Sequence, residues 1–268
     1  MRKILCLFLL ITTIQFSRAQ TWELGAFAGS SGYIGDLNQL KLFKFTDLGY
    51  GGLVKRNFDG YWSLKLNIYH GEIRGEDAKS DNEQERNRNL NFYSPVTEGS
   101  LQVEFNFFNY MTTEFNSKRF SPFLFVGFGG VLFDPRAEYN GIKYMLHDYG
   151  TEGQDLNNTY RQYTYSIPYG AGVKYNFSGN WSLIGELGYR TTGTDFLDDV
   201  SGYYPTPQQL NVPNDAAFTA QRQFLSDPSV NKIGVPGTQR GDLRKRDTYM
   251  FAGISLTYTF VSQKCATF

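Results

Sequence analysis

In WSLKLNI (62–68), Trp62, Leu64, Leu66 and Ile68 fall on one face of an extended chain, and Ser63, Lys65 and Asn67 fall on the other. A period of two with one apolar and one polar face marks a β-strand and excludes an amphipathic helix. The pattern returns in EGSLQVEFNF (98–107), where Leu101, Val103, Phe105 and Phe107 oppose Ser100, Gln102, Glu104 and Asn106. It returns in YSIPYGAGVKYNF (165–177), with Lys174 and Asn176 on the polar face, and in YMFAGISLTYTF (249–260). In that last run Met250, Ala252, Ile254, Leu256, Tyr258 and Phe260 oppose Gly253, Ser255, Thr257 and Thr259.

Eight such segments lie near residues 21–29, 47–57, 61–73, 96–108, 120–133, 163–177, 181–192 and 247–260. The apolar face points either into a soluble sandwich core or outward into lipid. Strand length favours lipid: these runs exceed the mean strand of about 5–6 residues and match a tilted membrane span of about 9–11 plus rims. Aromatic residues gather at strand ends, among them Trp22, Trp62, Phe107, Trp181 and Phe260, where interfacial girdles belong. Mean hydropathy is only −0.41, yet aromatics reach 17% and there are 28 Gly. A barrel with one apolar face per strand has that composition, because its hydropathy averages away.

Connections between the strands alternate in length. NFDGY (57–61), NYMTTEFNSKR (109–119) and SGN (178–180) are short, whereas those after the first, third, fifth and seventh strands are longer and polar. The expected fold is an all-β, eight-stranded antiparallel transmembrane β-barrel, with short periplasmic turns and four long extracellular loops. So few strands leave a lumen filled by side chains, with Lys65, Glu104, Lys174 and Glu186 as interior charges that pair across it. Of the loops, EDAKSDNEQERNRN (76–89) is a charge run expected to be a solvated, mobile hairpin tip. Residues 193–246 form a long proline-containing insertion suited to capping the barrel mouth or to docking.

MRKILCLFLLITTIQFSRAQ has the layout of a secretory signal peptide: basic Arg2 and Lys3, an apolar run from Ile4 to Ile14, and small residues at Ser17 and Ala19. The expected division is a signal peptide over 1–19, a barrel over 20–260 and a periplasmic tail over 261–268. Cleavage would leave Cys265 as the one thiol, unable to form an internal disulfide and free to pair with another chain. The 26 basic and 26 acidic residues balance, so nothing points to nucleic acid as a partner.

Catalytic and ligand sites are weakly signalled. After cleavage two histidines remain, His70 and His147, with Glu72 and Asp148 beside them, but no serine stands in an elbow-like context. Both read as rim or surface histidines. Asp195, Asp198 and Asp199 around LDDVSG could ligate calcium, but the stretch lacks the glycine and terminal glutamate of an EF-hand loop. Aspartates that bond backbone amides in turns are the preferred reading, and no metal or cofactor is assigned. VGFGG (126–130) lies inside a strand, where glycine marks close packing, not a phosphate loop.

Several segments resemble a known family: SGYIGDLNQ (31–39), GGLVKRNFDGYWSL (51–64), GTEGQ (150–154), SIPYGAGVKYNFSGNWSL (166–183), YRTTGTDFLDDVSGYY (189–204), GTQRG (237–241) and the lysine–cysteine tail. Together they resemble the PorG-like outer-membrane proteins of Bacteroidota, components of the type IX secretion machinery. The family tail reads Lys-Cys-Pro, whereas here Ala266 follows Cys265, which alters the backbone there but keeps the thiol. The resemblance implies a non-enzymatic barrel in the outer membrane that anchors a periplasmic ring, built from a lipoprotein and a partner subunit, in a protein-transport system linked in some species to gliding motility. On that reading the turn 109–119 and the tail, with Lys264, Cys265 and Phe268, face the ring, while outer-membrane lipids surround the wall. Phe268 and Phe260 compete as the aromatic end read by barrel-insertion machinery. The second reading is a barrel that binds ligands or adheres through its outer loops; a lipid-modifying enzyme is the third.

Overall fold

The computed structural model describes residues 21–39, 41–110 and 117–260. The signal segment, most of the 109–119 turn, and the tail with Lys264, Cys265 and Phe268 lie outside the described residues. Eight long strands form the wall: β1 (Thr21–Ile34), β2 (Phe45–Asn57), β3 (Trp62–Glu76), β4 (Asn91–Asn106), β5 (Phe120–Phe133), β8 (Tyr163–Ser178), β9 (Trp181–Thr192) and β10 (Thr248–Phe260). Two short strands, β6 (Arg136–Tyr139) and β7 (Ile142–Met145), make a hairpin in the third outer loop.

Every wall strand is antiparallel to both neighbours, and β3 pairs with β4, which closes the sheet into an eight-stranded barrel. β1 joins β10 from Trp22↔Phe260 to Ile34↔Thr248, so the two ends of the barrel sequence meet along a full ladder. Closure removes the open edges that lipid could not satisfy.

Polarity is inverted relative to a soluble protein. Leu66, Ile68, Leu101, Val126 and Phe128 point outward and stay exposed, as does the aromatic ring of Trp22, Trp62, Phe107 and Trp181 at one end. No helix is long and apolar enough to cross a membrane; the chain crosses with strands. Apolar surface in a continuous outward belt, with polar groups sealed inside, is stable only when lipid surrounds it. The protein is therefore an outer-membrane-type barrel.

Inside, three lysines face three glutamates. Lys174 lies 2.6 Å from Glu104, Lys55 is 3.2 Å from Glu104 and 3.5 Å from Glu23, and Lys65 is 2.9 Å from Glu186 and 3.2 Å from Glu104. Each of the six is at most 5% exposed, so the lumen is packed and not a water-filled channel. Glu23 and Lys55 complete a network of which the sequence reading named the other four. Above the charges lies an aromatic layer that the polar-face pattern did not anticipate: Phe27 stacks on Tyr69 at 4.5 Å, with Phe251 edge-on to both. Gly51 makes room for it, since a Cβ there would sit 2.4 Å from the Tyr69 ring. Met250, placed on the outward face by alternation, is fully buried against Gly32 under the β1–β2 connection.

The outer loops are built, not loose. In the 193–246 insertion a capping box starts the short helix Pro207–Leu210, and Asp215 caps the helix Ala216–Ser226 by accepting from Phe218 N. The charge run 76–89 is largely exposed, as expected of a solvated tip, but Asp77 and Arg88 within it are buried. Its helix Glu83–Arg88 turns Arg88 inward, where the guanidinium grips Asp77 at 2.7 and 2.9 Å. Burial of that pair fixes the hairpin against the rest of the cap. One hydrophobic core runs from Phe27, Tyr69 and Phe251 in the barrel up through Leu37, Leu90, Leu197, Val200 and Leu225.

Candidate functional site

The cap meets the barrel mouth in a polar layer drawn from distant parts of the chain. After β1 the backbone turns back on itself, with Gly35 and Asn38 bridging, and Asn38 donates to Tyr33 O and Lys41 O. That hook holds Asp36 at the rim. Gly35 lets the hook approach closely: a Cβ there would fall 2.2 Å from Asp247 Oδ1. From the opposite side, Asp195 follows β9 and Asp247 immediately precedes β10.

Two kinds of electrostatics sit side by side in this layer. On one side, cations are paired. Arg88 donates to Asp77 and to the carbonyls of Asp36 and Arg240, at 2.9 and 2.6 Å. Arg240 bonds Glu152 at 3.0 Å and the Asp199 carbonyl at 2.9 Å, and Glu152 accepts from the amides of Ser201 and Gly202. Asp199 accepts from Thr151 at 2.5 Å and from Tyr160 at 2.6 Å.

On the other side, acids crowd without an ion-pair partner. Asp36, Asp195 and Asp247 each bring a carboxylate oxygen within 4.8 Å of the other two. Among the described residues, no ion pair includes any of them or Asp198. Asp247 accepts from Leu197 N at 3.0 Å, and Asp36 Oδ1 accepts from Asp242 N. The Tyr33 hydroxyl lies 2.5 Å from Asp198 Oδ2 and 3.2 Å from Asp247 Oδ1. By contrast, Asp36 Oδ2 and Asp195 Oδ1 are buried with no hydrogen-bond partner.

Burial pushes the Asp36 carboxyl up to about 7, opposed in part by the Asp242 amide and the Arg88 charge. Burial together with Asp36 and Asp242 pushes Asp195 up to about 8. Asp198 is raised well above the usual carboxylate range by burial and by Asp247 and Asp36, and Asp247 by burial and by Asp36 and Asp195. Asp199 rises to about 6 by burial, held down in part by Arg240 and its hydroxyl donors.

Of the three aspartates weighed together in the sequence, Asp198 and Asp199 engage hydroxyls and a backbone amide, as turn-forming aspartates do. Asp195 instead joins Asp36 and Asp247, a grouping that no local spacing reveals. The histidines stand apart. His70 bonds Thr97 at 2.8 Å on the wall, and His147 bonds Thr159 and the Tyr160 carbonyl in the cap. At the periplasmic end, Tyr110 is buried and donates to Ser182 at 2.7 Å, closing the lumen from below.

Comparison with solved structures gives distant barrels. The N-terminal β-barrel domain of Pseudomonas aeruginosa OprF is 12% identical with a TM-score of 0.38, over 91% of this chain and 98% of that one. Ail, the attachment invasion locus protein of Yersinia pestis, solved in complex with the heparin analogue sucrose octasulfate, is 10% identical with a TM-score of 0.41, over 91% and 100%. OprG of Pseudomonas aeruginosa is 8% identical with a TM-score of 0.40, over 91% and 98%. No curated protein matches the chain. A family profile does match, over residues 2–217, which takes in the barrel through β9, the Asp36 hook and Asp195. The chain belongs to the family described as Domain of unknown function (DUF6089).

Proposed function

We propose that the protein is a non-enzymatic outer-membrane component of the type IX secretion machinery, holding a periplasmic lipoprotein-containing ring to the membrane. The observation that carries a role at a rim is the packed lumen: among the described residues, six buried charges fill the barrel interior and Tyr110 is buried below them. A barrel filled by its own side chains suits a fixed platform. The choice of the periplasmic rim and of the ring as partner comes from the resemblance to PorG-like proteins, and Cys265 in the tail is the residue offered for a covalent contact.

The decisive experiment is affinity purification of the full chain in mild detergent under non-reducing conditions. Co-purification of a lipoprotein ring subunit is expected, with a band shift lost in Cys265→Ala if the contact is a disulfide. Recovery of the barrel alone from cells that contain the ring overturns the proposal. A second reading, a surface barrel that acts through its outer loops, draws on one observation: SGYIGDLNQ, GTEGQ, LDDVSG and GTQRG converge in the outer cap, through Asp36, Glu152, Asp199 and Arg240.

A further inference from the structure

We propose that Asp36, Asp195 and Asp247 form a site for a calcium-class divalent cation that ties the β1–β2 connection to both ends of the long outer loop. Three carboxylate oxygens within 4.8 Å of one another fit the shell of a single cation, since oxygens on opposite sides of calcium lie about 4.6–5.2 Å apart. Asp36 is 1% exposed, and its Oδ2 has no donor. Asp195 Oδ1 is likewise buried and unpartnered. A buried carboxylate oxygen left without a donor costs free energy unless a charge completes it. Among the described residues no lysine, arginine or histidine does so here, although Arg88 and Arg240 stand close by and pair with Asp77 and Glu152 instead. The missing positive charge is therefore the feature a cation supplies.

Chemistry narrows the ion. All three donors are hard oxygens, with no imidazole or thiolate among them, which disfavours zinc and copper. Calcium tolerates an irregular, carboxylate-rich shell, while magnesium demands a near-ideal octahedron and keeps its waters. The backbone also makes room: a Cβ at Gly241 would sit 2.7 Å from Asp36 Oδ1, so the bare glycine lets the GTQRG turn close over that carboxylate. The site lies on the outer rim, where millimolar calcium is the ordinary condition of an extracellular module.

The test uses the full chain folded in detergent micelles, stripped with chelator and titrated with calcium chloride by calorimetry. Saturable uptake of about one calcium per chain is expected, with affinity in the range of about 10⁻⁴–10⁻³ M or tighter. Asp195→Asn and, separately, Asp36→Asn should weaken uptake by about tenfold or more, because each removes a direct ligand. Asp148→Asn, an exposed carboxylate of the same cap, should leave it unchanged. Heat-modifiable migration on a gel establishes that each variant barrel has folded. The proposal is overturned by absence of saturable uptake in the wild type, by uptake unchanged in both ligand variants, or by magnesium binding as tightly as calcium.

Discussion

Lys174 reaches from β8 to within 2.6 Å of Glu104 on β4, and both side chains are sealed from solvent. Glu104 also lies 3.2 Å from Lys55 and from Lys65, so one carboxylate contacts three ammonium groups, two of which Glu23 and Glu186 also pair. Glu104→Ala should therefore cost more than a lost pair. Breaking a buried pair typically costs about 3–5 kcal/mol, since it strands the partner charge. Urea titration of the folded barrel, followed by gel migration, should show the loss, and Glu104→Gln should recover part of it by accepting from Lys174.

Leu66 is half exposed on the outward face, where a soluble protein would tolerate a charge. Leu66→Arg should instead destabilise the folded barrel by about 2–4 kcal/mol in lipid, the usual cost near the bilayer midplane. Replacing Lys118 or another rim cation by Leu should change little. Equal, small effects at both positions in vesicle folding titrations would contradict a lipid-facing belt.

Arg88→Ala leaves Asp77 buried without its guanidinium and frees the carbonyls of Asp36 and Arg240. The effect should stay local: faster hydrogen exchange and trypsin cleavage in 193–246, with the wall strands unaltered. A local opening penalty of about 3–5 kcal/mol corresponds to the stranded buried carboxylate.

Asp199 gives a pH dependence of defined sign. Its carboxyl titrates near 3.8 when unfolded and at about 6 when folded, because burial disfavours the anion. Between these values the folded cap holds more protons than the unfolded one, so stability falls as pH rises. The contribution is fully present below the unfolded value and lost above the folded one. With chelator present, exchange protection of residues 197–202 should drop between pH 4 and 7, and Asp199→Asn should flatten that slope.

The barrel was legible because alternation is local: Leu66 and Lys65 reveal their faces within one strand, and strand length separated lipid from core. The interior was legible only where it is polar. Phe27, Tyr69 and Phe251 sit on the inner face yet resemble outward residues in composition, so periodicity alone hides them. The cap was less legible. Asp77 and Arg88 read as part of a solvated charge run, and only the folded cap shows that they bury against each other. Asp36, Asp195 and Asp247 are far apart in sequence, and only the pairing of β10 with both β9 and β1 makes them neighbours.

The continuous core beneath the cap has a consequence for assembly. Its floor is laid by residues from several wall strands, including Phe27 on β1 and Phe251 on β10, which become adjacent only when those strands pair. A barrel with an open seam offers the loops no floor, and long-range contacts of this kind form late. The cap thus serves as a visible receipt of completed closure: surface protease should cut the loops of unfinished barrels and spare those of finished ones.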